Sequence, residues 1–100
     1  MIKHIVIFKL NPPYTPEEKA NSLRKLKEIF SPLAQKLSYI IEYRTEFNVN
    51  PSDSAGDFVI DSVFASLDDL KRYQSCREHQ DAIAEASEIR KTKTVVDYEF

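Results

Sequence analysis

Hydrophobic and polar residues follow two patterns that alternate along this chain. Four short stretches have the pattern of β-strands: three alternate largely between apolar and polar residues, and the first carries apolar residues on both of its faces. The stretches between them repeat apolar residues at spacings of three and four, as amphipathic helices do. The four short stretches predict strands at residues 2–10, 39–49, 58–65 and 92–100. The remaining pattern predicts helices at residues 16–30, at a short continuation after Pro32, in a short stretch after Ser66 that ends at a break before Glu78, and at 78–91.

Local signals place the ends of these helices. Thr15 and Glu18 form a capping-box pair at the start of the first helix. Pro32 should end that helix, and Ser31 is expected to cap the continuation. Ser66 is the expected N-cap of the next helix, because acidic residues fill the turn that follows it.

The order β-α-β-β-α-β, with the second helical region split in two, predicts an α+β fold of the ferredoxin-like kind. Right-handed crossovers put the first and third strands in the centre of an antiparallel sheet, with the last strand beside the first. The helices then cover one face only, although both faces of the first strand carry large aliphatic groups. We therefore expect a homodimer in which two open sheet faces pack together.

Composition narrows the classes of function. One hundred residues, 42% hydrophobic and 30% charged, predict a single domain over residues 1–100. The net charge of -2 is well mixed and forms no basic stripe, so nucleic acid is not an expected partner. The longest apolar run is too short for a membrane span. No secretory signal is recognisable and Cys76 is the single cysteine, so we expect a cytoplasmic location.

Four residues are candidates for acid–base chemistry. His79 titrates near neutral pH and is the candidate general base, although a histidine at a helix start often only packs or caps. Tyr73, six residues earlier across a helix break, is a candidate donor to an enolate oxygen, or else an amphipathic core residue. His4 is a supporting group or a satisfied core histidine. Asp97 on the last strand either orients a histidine or keeps an edge strand soluble.

A ligand pocket is expected between the sheet and the helices, where the strand faces and helix stripes converge. Besides the four candidates above, its expected substrate-binding residues are Val6, Phe8, Ile60, Ser62 and Ile83. No metal site is expected, because the two histidines lack any tight ligand spacing. One glycine cannot build a phosphate loop, and no cofactor is expected. Cys76 is interpreted as a small packing residue.

Several segments together resemble the stress-responsive dimeric α/β-barrel (Dabb) domain family. The segments that carry the resemblance are residues 2–10, 48–51, 57–60, 66–74 and 95–98. The family usually reads Tyr-x-x-His-Pro-x-His, whereas this chain has Cys76 and Arg77 in place of the first histidine and the proline. The resemblance implies a dimeric α/β barrel over essentially the whole chain.

The same resemblance suggests an activity. A plant member, a polyketide (olivetolic acid) cyclase, performs an aldol condensation without a cofactor, and its tyrosine–histidine pair looks like Tyr73 and His79. Three functions stay open. The first is a cofactor-independent lyase or cyclase that acts on a small enolisable or aromatic substrate. The second is a non-catalytic protein, either a binder of a small hydrophobic ligand or a stress-associated structural dimer. The third is a cofactor-free monooxygenase.

Overall fold

A computed structural model describes residues 1–12 and 14–100, and it has the expected β-α-β-β-α-β order. The strands are β1 (Ile2–Leu10), β2 (Ile40–Phe47), β3 (Phe58–Phe64) and β4 (Arg90–Glu99). The helices are α1 (Pro16–Phe30), α2 (Leu33–Lys36), α3 (Leu67–Ser75) and α4 (Arg77–Ala86). All strands pair antiparallel in the order β2-β3-β1-β4, so the predicted central and edge positions are confirmed.

The predicted helix signals are confirmed for α1 and α3. Thr15 and Glu18 form the reciprocal capping box, and the Ser66 hydroxyl accepts a hydrogen bond from the amide of Asp69. Ser31 does not cap α2, and the expectation that it would is wrong. Its hydroxyl instead bonds to the Thr45 hydroxyl at 3.0 Å, which ties the end of α1 to β2.

The second half of the chain corrects one predicted boundary. Helix α4 ends at Ala86 rather than near residue 91, and β4 begins at Arg90. The cause is tertiary. Arg90 pairs with Leu10 at the end of β1, and a turn closed by the bond from the Ile89 amide to the Ala86 carbonyl leads into that pairing.

The core fills the space between the helices and one face of the sheet. Phe8, Phe30 and Phe58 form its centre, with ring centroids 5.6 to 6.4 Å apart. Leu70 and Tyr73 of α3 and two alanines of α4 extend it toward the other end of β1. These alanines lie where α4 packs against the neighbouring helices α1 and α3.

Among the described residues, no helix covers the opposite face of the sheet. Its exposed apolar side chains include Ile7, Val96, Tyr98 and Phe100. A Lys3–Asp61 ion pair of 2.9 Å interrupts this surface. In the described parts of the chain, no helix is long and apolar enough to cross a membrane.

Candidate active site at the α3–α4 corner

A single residue separates α3 from α4 and creates the corner that holds Tyr73 and His79. Cys76 has an extended backbone, with φ -72° and ψ 153°, so the helix cannot continue through it. The chain turns, and α4 restarts one residue later. As a result the rings of Tyr73 and His79 lie 4.3 Å apart between centroids.

The hydrogen bond of His79 defines which ring nitrogen is available. Its Nδ1 lies 3.2 Å from the carbonyl oxygen of Gln74. A carbonyl only accepts, so Nδ1 carries the proton and donates, which leaves Nε2 as the acceptor of the neutral ring. Burial lowers the pKa of His79 below 6.5, and the nearby Lys93 and His4 lower it further. The imidazole is therefore mainly neutral at pH 7, and Nε2 is the ring nitrogen that can take a proton.

A shallow hollow of about 280 Å³ lies beside His79, between α4 and β4. Its walls are Gln74, His79, Gln80, Ile83, Ala84 and Lys93. Four of these residues share one face of α4, because 79 and 83, and likewise 80 and 84, are four residues apart and so lie one helical turn from each other. The hollow remains open because the helices leave part of β4 uncovered, where Val95 is 40% exposed.

Tyr73 lies behind His79 and does not line this hollow. It is 1% exposed, and its hydroxyl lies 3.0 Å from the hydroxyl of Tyr43 on β2. Burial raises the pKa of Tyr73 well above 10 and that of Tyr43 to about 12, so both phenols are neutral at pH 7. Tyr73 is therefore not placed to donate directly to a ligand in this hollow. Its ring packs against the imidazole of His79, while its hydroxyl forms a hydrogen bond with the hydroxyl of Tyr43.

His4 and Asp97 meet across the β1–β4 pairing, where they are directly opposite one another. The Nδ1 of His4 bonds to a carboxylate oxygen of Asp97. His4 is buried, and its ring stands edge-on to Tyr73 with centroids 6.2 Å apart. The four candidates thus form one continuous row, Asp97–His4–Tyr73–His79. The histidine that Asp97 orients is His4.

Of the five expected substrate-binding residues, only Ile83 borders the hollow. Val6, Phe8, Ile60 and Ser62 are at most 6% exposed and belong to the packed layer beneath the helices. The aromatic side chains at the centre of the core fill the space between sheet and helices in which the pocket was expected. The Ser62 hydroxyl donates to the backbone carbonyl of His4 at 3.1 Å, so it fixes strand pairing. None of these four positions lines the hollow.

Sequence reasoning missed two residues of the site. The alternation in β2 places Tyr43 on one face of that strand but does not show that it meets Tyr73. That contact depends on the register that pairs Tyr43 with Ser62 on β3, and the register cannot be read from the sequence. Lys93 had a readable signal. It shares strand parity with Asp97, so it had to lie on the side of the sheet that the helices cover.

The described residues contain no group of three or more His, Cys, Asp or Glu side chains that could hold a metal ion. Cys76 is partly buried and packs against the core. Residues 77 and 81 of α4 form an exposed ion pair of 3.7 Å outside the hollow. The chemistry available at this corner is therefore that of one imidazole, two amide side chains and one ammonium group.

Comparison with known proteins identifies relatives along the whole chain. The model of the Stress responsive A/B Barrel Domain family matches residues 2–100. An uncharacterized protein of Streptomyces coelicolor is 33% identical over 102 residues, which cover 100% of both chains. A dimeric protein of unknown function and ferredoxin-like fold from Bacteroides fragilis is 35% identical, with a TM-score of 0.87 and coverage of 99% of this chain and 95% of that one.

A hydroxynitrile lyase from Passiflora edulis has the same fold with a TM-score of 0.78. It is 13% identical, and the match covers 97% of this chain and 90% of the lyase. At that identity the similarity concerns the fold alone.

Proposed function

This chain belongs to the stress responsive A/B barrel domain family, and from that membership and the corner geometry we propose that it is a cofactor-independent proton-transfer enzyme. His79 acts as the general base. The substrate is a small enolisable compound that occupies the hollow between α4 and β4. The observation that carries the proposal is that His79, whose Nδ1 is tied to the Gln74 carbonyl, lines that hollow.

In the proposed step, Nε2 of His79 takes a proton from a carbon beside a carbonyl group. The C–H bond breaks, its electron pair forms the enolate, and the imidazole becomes an imidazolium. The same proton returns to carbon or oxygen in the next step, so charge and atoms balance without a cofactor. A lowered pKa keeps the base unprotonated at neutral pH, as general-base catalysis requires.

The surrounding groups supply position and polarity. The amide side chains of Gln74 and Gln80 lie in the same walls and are neutral donors for the enolate oxygen. Tyr73 acts through His79, because its ring packs against the imidazole. His4 and Asp97 hold the far edge of the Tyr73 ring in place. The fold itself accommodates a lyase, since a hydroxynitrile lyase shares it.

A second candidate function is binding of a small ligand without catalysis. It is favoured by the position of the Tyr73 hydroxyl, which bonds to Tyr43 and does not reach the hollow. A cyclase that needs a tyrosine hydroxyl beside its histidine would lack that group here. The binder and the enzyme share the hollow and differ in whether a proton moves.

We propose that the working form is a homodimer joined through the open sheet face. The apolar side chains of that face, including Val96 at 51% and Phe100 at 61% exposure, are a large surface to leave in water. The dimeric relative from Bacteroides fragilis supports this assembly. Packing two such faces together buries them as two sheets of a barrel.

The test is solvent deuterium exchange. A panel of small ketones, keto acids and β-diketones is incubated with the protein in D₂O, and loss of each α-proton is followed by NMR. His79→Asn is the informative variant, since its amide nitrogen can replace Nδ1 toward Gln74 while Nε2 is lost. We expect exchange in the wild type and a loss of about a hundredfold or more in the variant. Equal exchange in a folded variant would contradict the base role. Binding without exchange would support the binder.

A further inference from the structure

We propose, building on the proposed function, that the hollow selects small carboxylate-bearing substrates and that Lys93 is the residue that sets this preference. The proposal names a substrate class, an enolisable acid, and gives it a fixed orientation. Its carboxylate lies at Lys93 and its acidic C–H bond at Nε2 of His79.

The charges around the hollow point to an anion. Lys93 is the only cationic side chain in the walls, and none of the wall residues is acidic. Among the described residues, no carboxylate comes within 4.0 Å of the Lys93 ammonium group. The acid nearest along its strand face, Asp97, is engaged by His4. An ammonium group with no acidic partner, next to polar amides and a neutral imidazole, is a site for a ligand carboxylate.

The other charged groups near the corner do not supply a competing acid. Asp81 on α4 pairs with Arg77 at 3.7 Å, and Arg72 on α3 stacks over the Tyr39 ring at 4.1 Å. Glu78 precedes His79 but is absent from the walls. Lys93 and His79 both line the hollow, so one small ligand can contact both side chains. The positive charge of Lys93 also lowers the pKa of His79.

Size and shape restrict the ligand further. Lys93 lies on β4 and the imidazole on α4, so a ligand between them spans the hollow from strand to helix. At roughly 30 Å³ for each non-hydrogen atom, the share of a water molecule in the liquid, about 280 Å³ holds about nine such atoms. Ile83 and Ala84 give the remaining wall an apolar surface. A one-ring aromatic acid or a branched keto acid fits this description.

The cation also has a reason to matter in the proposed reaction. Removing a proton from a carboxylate-bearing substrate creates a second negative charge on the same small molecule. An ammonium group already in place stabilises that dianion relative to the ground state. Lys93 would then affect both the binding of the acid and the rate at which it exchanges.

Benzoate and benzamide provide a direct test, because they have the same shape and about nine non-hydrogen atoms each but differ in charge. Their affinities are measured by NMR titration of the full chain at two salt concentrations. The variants are Lys93→Gln, Lys93→Glu and, as a control that removes an equal charge elsewhere, Lys71→Gln on the exposed side of α3.

We expect the wild type and the Lys71→Gln control to prefer benzoate by about tenfold or more, and added salt to weaken that preference. Lys93→Gln should bind the two probes about equally, and Lys93→Glu should favour benzamide. The proposal would be overturned if the wild type bound both probes equally, if neither probe saturated the protein, or if Lys93→Gln still preferred benzoate.

Failure here is distinguishable from failure of the proposed function. His79→Asn should lose proton exchange and still prefer benzoate, because the imidazole it replaces is neutral. If neutral ketones exchange in the wild type but benzoate is not preferred, the results support His79 as the base and contradict the role of Lys93. If benzoate is preferred but no panel member exchanges, the results support the anion site and contradict the proposed enzyme activity.

Discussion

The hydroxyl pair between Tyr43 and Tyr73 should show unequal single losses and a strong coupling. The two oxygens lie 3.0 Å apart. Tyr43→Phe leaves the Tyr73 hydroxyl unpaired in a place that is 1% exposed, where no water can replace the lost partner. Tyr73→Phe leaves the Tyr43 hydroxyl unpaired at a half-buried position that water can approach. The first change should therefore cost more than the second.

The magnitudes follow from the cost of a buried polar group without a hydrogen bond, about 1–3 kcal/mol. We expect Tyr43→Phe near the upper end and Tyr73→Phe near the lower end of that range. The double variant removes both oxygens, so it should lose less than the sum by about 1–2 kcal/mol. For a domain of this size, each 1 kcal/mol lowers Tm by about 4–8 °C.

Urea unfolding at one fixed protein concentration is the assay, since dimer formation would make stability depend on concentration. The m-values must stay constant across the four proteins for the comparison to hold. Tyr14→Phe is the matched control, because Tyr14 is exposed, and we expect a change within about 0.5 kcal/mol. Additive losses, or a larger loss in Tyr73→Phe, would refute the pairing and the shielding of Tyr73.

Three further predictions test other parts of the structure. Burial raises the pKa of Tyr43 from 10.0 to about 12, so the folded state keeps a proton that the unfolded state releases. The free energy of unfolding should therefore fall as pH rises from 10 toward 12, and it should fall less steeply in Tyr43→Phe. Gly56→Ala would bring a Cβ within 2.2 Å of Cγ2 of Ile7, so we expect a loss of about 1–3 kcal/mol in urea unfolding that shrinks when Ile7→Ala is added. Ile7→Lys on the open face should sediment as a monomer, whereas Gln35→Lys on α2 should sediment like the wild type.

The architecture was predictable because local and global signals agree. Strand alternation and the caps at Thr15 and Ser66 each point to the same element order, and one crossover rule then arranges the strands. The boundary near Ala86 was not predictable in this way. The apolar stripe continues to Ile89, and only the pairing of Arg90 with β1 ends the helix early.

The site was predictable in membership but not in orientation. Strand parity brought His4 and Asp97 to one side of the sheet, and the helix break brought Tyr73 to His79. Whether a covered side chain lines a cavity or fills the core depends on packing, as Phe8 illustrates. Packing density is a property of all neighbours together, which single-sequence patterns do not contain.

The most direct test of His79 as a neutral general base is the pH dependence of proton exchange. The exchange rate of one active substrate is measured from pH 5 to 8, while NMR follows the titration of the His79 ring in the same samples. We expect the rate to rise with pH and to level off, with an inflection that coincides with the pKa of His79 and lies below 6.5. An inflection that differs from the pKa of His79 measured by NMR, or one that persists in His79→Asn, would contradict the account.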